Sequence, residues 1–450
     1  MTRPPKPRSR PEKVSLWQYM RLFRRDILSA QPEKLYRAWM AEFRTPFFRS
    51  YMVNDRDVIR AVLKDRPKAF PKSDRVGSGL RPLLGNSVFL TNGATWERQR
   101  RIIDPAFEGG RLRETFPSIC RAAQDAAERF AGHMDQDIDI EPETSHAAAD
   151  VIFRTLFSIP IEHAVAREVF EAFQTYQRSQ PILNLAAFVP VPPWVPRGYR
   201  RETRASAARI RRLIHQLTAE RQIEIDAGRA PQDLATKIMT TADPQTGERF
   251  DVDEMVDQVA IFFLAGHETS ASALAWALYL LALFPDWQDR VAQEAQGADL
   301  TAFSQMSKLK ATRDVFRETL RLYPPVPMMV RETTAPERFR NRDVRPGAQV
   351  VISQWHLHRQ TRIWEHPDDF DPTRWDTETG QTCARDAYLP FSAGPRVCPG
   401  AGFAMLEGVM MLAHILRDLR VTLGEGPPPI PVAHLTVRSR DGIRLKVVRR

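Results

Sequence analysis

The segment Val252–Phe284 constrains this chain more than any other. It reads as one helix of about 45–50 Å at 1.5 Å per residue, long enough to cross a whole domain. Its greasiest part, Val259–Phe284, is interrupted by His267, Glu268 and Thr269. Those residues argue against a membrane span and for a helix buried through the centre of a large helical body. An interior glycine costs about 1 kcal/mol, and a carboxylate in greasy surroundings costs more unless it is used. Gly266 and Glu268 therefore mark this helix as a working element.

The other elements suit one large, mainly α domain with small β-sheets. Helical spacing predicts helices over 36–48, 56–64, 95–103, 112–130, 147–156, 164–178, 202–226, 234–239, 287–296, 311–323 and 400–417. Strand-like pieces lie near 47–53, 349–353, 419–423 and 435–448. Residues 1–13 read as a flexible, basic, Pro-rich arm, and 14–450 as a single domain. The apolar 180–197 stretch is broken by prolines and cannot be one helix. Hydrophobic residues at 43% and charged residues at 27% are ordinary for a globular chain and exclude extended disorder. A net charge of +10 favours acidic partners or surfaces, but no dense basic tract or motif points to nucleic acid. Cys120, Cys383 and Cys398 stand too far apart for a zinc site or a disulfide framework. With no secretory h-region, the expectation is a cytoplasmic, soluble protein.

The sharpest local chemistry is Phe391-Ser-Ala-Gly394-Pro-Arg396-Val-Cys398-Pro-Gly400. A lone cysteine precedes a helix whose first position suits Pro399. Amides and the helix N-terminus favour negative charge there, hence a thiolate that ligates a metal or attacks as a nucleophile. A plain buried thiol is the bland alternative.

Four further runs accompany this loop: Trp96 and Arg100, four apart; Ala265-Gly266-His267-Glu268-Thr269; Glu318-Thr-Leu-Arg321; and Pro367-Asp-Asp-Phe370-Asp-Pro372-Thr-Arg374-Trp375. In this order and at these separations the chain resembles the cytochrome P-450 superfamily, over nearly its whole length after the arm. Trp375, where Phe is commoner, is a minor departure.

The resemblance implies a triangular helical prism around a buried haem b (iron protoporphyrin IX), with Cys398 as the axial thiolate to iron. It implies that Trp96, Arg100, Arg396 and Arg331 meet the haem propionates, and that Phe391, Gly394 and Gly400 shape the loop beneath the ring. Ala265 and Gly266 would border the dioxygen pocket, with Thr269 hydrogen-bonding bound oxygen and Glu268 relaying protons. Glu318, Arg321 and Arg374 would form a buried charge network. Leu84, Phe89, Phe188, Phe262, Phe263, Met328, Met329 and Val330 would face an apolar, lipid-like substrate to be hydroxylated. Electrons would come from a separate ferredoxin and ferredoxin reductase, with NAD(P)H as the ultimate donor. Arg98, Arg100 and Arg101 would steer that carrier. At most, the 180–197 stretch would brush a membrane. A haem-thiolate isomerase or dehydratase that needs no dioxygen, and a non-catalytic haem ligand sensor, are the rival readings.

Overall fold

The computed structural model describes residues 3–44, 49–108, 110–179, 201–433 and 435–450. Ten helices matter here: α1 (Leu16–Arg25), α2 (Gly93–Ile103), α3 (Arg111–Ala131), α4 (Glu141–Phe157), α5 (Ala164–Ser179), α6 (Arg201–Asp226), α7 (Val252–Leu283), α8 (Pro285–Gln296), α9 (Lys310–Leu322) and α10 (Ala401–Asp418). The central helix α7 runs unbroken for 32 residues. A capping box fixes its start: Asp251 accepts from the Glu254 N–H at 2.7 Å, and Glu254 accepts from the Asp251 N–H at 3.2 Å. Its end is set by Pro285, which opens α8. Helix α7 packs on α4, α6, α9 and α10 and is buried on most sides, which is why its sequence is apolar all round. Among the described residues no helix is long and apolar enough to cross a membrane.

A four-stranded sheet lies beside this helical body. Its strands are β1 (Met40–Arg44), β2 (Arg49–Val53), β3 (Met329–Glu332) and β4 (Gln349–Ile352), in the order β1-β2-β4-β3. The helix predicted over 36–48 is thus corrected to a short helical turn, Glu33–Tyr36, and a strand. Antiparallel pairing with β2, Met40 opposite Val53, decides the matter against local helical spacing. The segment 435–448 divides into Val437–Ser439, paired with Pro431–Ala433, and Arg444–Arg449, paired with Leu419–Leu423.

The arm is laid along the body: the Tyr323 hydroxyl donates to the Pro5 carbonyl at 2.8 Å, Arg3 pairs with Asp369 at 3.0 Å, and Lys6 with Asp368 at 2.8 Å. The segment 180–197, including Phe188, lies outside the described residues.

The buried charge network assembles as the spacing suggested. Glu318 and Arg321, three apart on α9, are both fully buried and meet through two hydrogen bonds of 3.0 and 2.8 Å. Arg374 joins at 3.0 Å from the Glu318 carboxylate. Arg321 also donates to the carbonyls of His358, Pro367 and Asp369 at 2.7–2.9 Å, so the pair pins the segment that leads to the cysteine loop. His358 completes the link. Burial drives its pKa down to about 3, so the neutral ring accepts the Leu389 N–H at 2.9 Å.

Candidate active site

The cysteine loop is held from both ends. The Cys398 N–H donates to the Phe391 carbonyl at 2.9 Å, and α10 begins three residues later. Gly394 has φ +70°, and a Cβ there would lie 1.9 Å from the Leu63 carbonyl oxygen. Its glycine character therefore answers a close approach to the helical turn Ala61–Asp65. That contact, and no flat face toward a ring, is what the geometry displays; Gly394 does not line the cavity described next.

Cys398 opens onto a cavity of about 1560 Å³, so its side chain is accessible. Burial pushes the thiol up, opposed by the Gly400 N–H and by the field of Arg100. Phe391, Gly400, Ala265, Gly266, Glu268 and Thr269 line the same space. So do Phe89, Phe262, Met328, Met329 and Val330. Leu84 and Phe263 do not. Leu84 is fully buried in the core, and Phe263 packs between Phe153 and Phe173, at 4.9 and 4.3 Å between ring centroids. Both fill the protein interior rather than meet a substrate.

Beside the loop, cations crowd the Trp96 indole. Arg396, Lys72 and Arg100 lie 5.2, 5.7 and 5.9 Å from its ring. Arg396 donates to the carbonyls of Phe70 and Pro67 at 2.9 and 3.2 Å, while its Nε is buried without an acceptor. Arg331, on β3, is buried and donates to its neighbour's carbonyl at 3.0 Å. Burial and the repulsion of Arg396, Arg331 and Arg100 drive Lys72 down to about 6, and Arg331 falls to about 10. The carboxylates sit at the edge of this cluster, Asp104 on Arg100 at 2.7 Å and Glu97 on Lys68 at 2.8 Å. Lys72 was not anticipated from sequence, since one lysine in a Pro-broken loop carries no periodic signal.

On α7 the Thr269 hydroxyl donates to the Ala265 carbonyl at 2.6 Å. The helix nevertheless continues without a break. Glu268 is buried and accepts from Gln177 of α5 and, at 3.3 Å, from Thr436. Burial pushes its carboxyl up, partly offset by Arg438 and these two donors. His267 turns the other way. It is fully buried against Ser145 at 2.7 Å, and burial takes it down to about 3, so it is neutral. A second acid, Glu407 on α10, was also unanticipated. It accepts from Ser270 at 2.6 Å, lines the cavity, and is pushed up to about 8 by burial. A lone carboxylate in the apolar run of α10 was the available signal, the same one that singled out Glu268.

The cytochrome P450 family profile matches residues 4–447. The chain is 32% identical to cyclooctat-9-en-7-ol 5-monooxygenase of Streptomyces melanosporofaciens, over 85% of this chain and 82% of that enzyme. It is 27% identical to a cytokinin hydroxylase of Arabidopsis thaliana, over 87% of this chain and 77% of that one. Its fold is similar to the crystal structure of the cytochrome P450DA heme domain, with a TM-score of 0.81 at 23% identity, covering 99% and 97% of the two chains.

A haem fits the residues present. A large cavity receives the Cys398 side chain, the buried Arg396 Nε beside Trp96 has no acceptor, and the buried cations Arg331 and Lys72 next to it would be favoured by the negative charge of two carboxylates. Sequence motifs, fold and site chemistry agree: the chain belongs to the cytochrome P450 family and is a haem-thiolate monooxygenase.

Proposed function

We propose that this enzyme hydroxylates an apolar, lipid-like substrate over haem b ligated by Cys398, with electrons from a separate ferredoxin and its reductase. The observation that carries the substrate class is how the cavity wall is divided. Leu80, Val88, Phe89, Phe262, Met328 and Val330 supply apolar surface, and the acids Glu268 and Glu407 are held to it by hydrogen-bonded polar side chains. Oxidation of an unsaturated alcohol by the Streptomyces relative, as its name states, is in keeping with this class.

Bound haem supplies dioxygen activation and oxygen insertion, and a thiolate ligand favours O–O cleavage. Everything else falls to side chains. Arg100, Arg331, Arg396 and Lys72, with the Trp96 indole N–H, would hold the propionates. Met328 and Met329 adapt to substrate shape, and an apolar occupant excludes water. Burial shifts the Glu268 carboxyl toward its neutral form, which suits it to take up and release a proton. Its partners Gln177 and Thr436 come from α5 and from the bend just before the Val437–Ser439 strand, so the carboxyl stands between two segments. Thr269 Oγ can exchange the Ala265 carbonyl for an acceptor in the cavity and pass that proton on.

Arg98, Arg100 and Arg101 are poorer steering groups than expected. Arg98 is paired with Glu254 at 2.6 Å, Arg100 with Asp104 at 2.7 Å and Arg101 with Asp243 at 2.6 Å. Attraction of an acidic carrier would rest on the net charge of +10 rather than on this run.

The test is a titration of purified haem-loaded enzyme with fatty acids, terpenoids, polyenes, steroids and small aromatics, following the Soret band. A blue shift with a lipid-like class, followed by an oxygenated product with NAD(P)H and a ferredoxin system, is the expected result. Shifts and products confined to small polar compounds would overturn the substrate class.

A further inference from the structure

The chain at 436–439 is fastened to the helical body on both sides of Arg438, yet the Arg438 side chain itself has no partner among the described residues. Thr436 donates to Glu268 at 3.3 Å, and the Ser439 N–H donates to Glu141 at 3.0 Å. The Val437 carbonyl accepts from Ser272 and, at 3.3 Å, from the Trp276 indole, both on α7. Within this frame the Arg438 Nη2 is buried without an acceptor. The guanidinium lines the same cavity as Cys398, Glu141, Gln177 and Glu268. An arginine cannot shed its charge, so a guanidinium held in this way calls for a negative group. The two acids beside it do not supply one. Its field acts on both Glu141 and Glu268, but burial outweighs it and shifts both carboxyls toward the neutral form.

From this placement we infer that Arg438 seats a carboxylate of the substrate, which makes that substrate an amphipathic monocarboxylic acid whose chain lies against apolar wall residues such as Phe89, Phe262 and Met328. The inference rests on the lipid-like class proposed above and narrows it. A carboxylate matches the planar guanidinium with two parallel hydrogen bonds. The neighbouring acids, held toward their neutral forms, can donate an O–H to that carboxylate instead of repelling it. A phosphate would bring up to two charges to a single guanidinium flanked by two acids, and one cation leaves the second charge uncompensated. A water molecule would satisfy the orphaned N–H but not the charge. Because the strand is pinned to α7 and to Glu141, the seat is rigid, and it orients the chain that follows the carboxylate.

The test is calorimetric and Soret titration of the haem-loaded full chain with dodecanoic, tetradecanoic and hexadecanoic acids and with the corresponding primary alcohols, at about pH 8, where the acids are ionised. Wild type should bind each acid about tenfold or more tightly than its alcohol, as a charge-assisted pair provides. Arg438→Gln should erase that preference by weakening the acids alone, with alcohol affinities unchanged. Arg438→Lys keeps the charge but loses the planar fork, so part of the preference should remain. No described side chain relies on Arg438 for a hydrogen bond, so both variants should keep the ligand-free Soret spectrum and melting temperature. Arg440, exposed and paired with Asp441 at 3.0 Å, controls for charge in general, and Arg440→Gln should leave the preference intact. Equal affinity for acids and alcohols in wild type would overturn the carboxylate seat and leave the lipid-like class standing. A preference that survives Arg438→Gln, or falls as far in Arg440→Gln, would overturn the assignment to Arg438. Failure of acids and alcohols alike to bind would overturn the seat as well, and the wider panel above then judges the substrate class separately.

Discussion

At the scale of single residues the site divides into what a motif can state and what only packing can. Cys398, Glu268, Thr269, Trp96 and Arg100 were visible because each sits in a spaced run whose chemistry needs it. Lys72 was invisible, yet it is the most perturbed cation of the cluster, brought down to about 6 by burial and by Arg396, Arg331 and Arg100. Its depressed pKa has a definite sign. The neutral form is favoured in the folded chain, so stability tied to Lys72 is full above about 10.5 and is lost as pH falls through about 6. Two propionates beside it reverse the balance by favouring the ammonium form. Haemin binding to the apoprotein should therefore take up a proton at Lys72 between about pH 7 and 9 that offsets the one released as the Cys398 thiol becomes the ligating thiolate, leaving net exchange close to zero there. Calorimetry in buffers of different ionisation enthalpy reads this directly. Lys72→Met should leave the Cys398 release uncompensated, a net loss of close to one proton, while haem incorporation stays largely intact; equal net exchange in both proteins would refute the assignment.

At the scale of elements, periodicity located most of the helices, and the errors share a physical cause. The segment 36–48 spaced its apolar residues like a helix, but the free edge of β2 offered a ladder that local spacing cannot foresee. Helix α1 went unread because its exposed face is itself partly apolar, and Glu378–Ala387 because Thr and Gly weaken its local propensity. Helix α7 is the instructive case. An interior glycine runs against helix propensity, yet the helix is continuous and the glycine serves packing against α4. A Cβ at position 266 would lie 2.3 Å from Ile152 Cδ1. Gly266→Ala should thus destabilise the enzyme by about 1–3 kcal/mol through overpacking, despite alanine's better helix propensity. Ile152→Val removes the offending methyl, so the double variant should recover most of that loss in urea denaturation. Additive effects of the two changes would show that the α4–α7 contact is not the reason for the glycine.

At the scale of the whole molecule, the chain's beginning is fastened to segments more than 300 positions away. The hydroxyl of Tyr323, on a fully buried side chain, has the Pro5 carbonyl as its acceptor, and the ring lies flat on Trp276 of α7 with centroids 4.1 Å apart. The ordering of the arm is therefore coupled to the aromatic stack at the centre of the fold. The docked arm is favoured by the ion pairs of Arg3 and Lys6 and by the Tyr323 hydrogen bond, and their response to salt separates them. Arg3 is two-thirds exposed, so its pair with Asp369 is worth little and is screened by salt. The Tyr323 hydroxyl, deprived of its acceptor, would cost about 1–3 kcal/mol. Removing residues 1–9 should accordingly lower stability by about that amount, and the loss should persist at high salt. Tyr323→Phe discards the hydroxyl beforehand, so the same truncation in that background should cost clearly less. Thermal melting of the four proteins, full-length and truncated with Tyr or Phe at position 323, closes the cycle. If truncation costs the same in both backgrounds, or its cost vanishes in salt, the ion pairs rather than the hydroxyl fasten the arm.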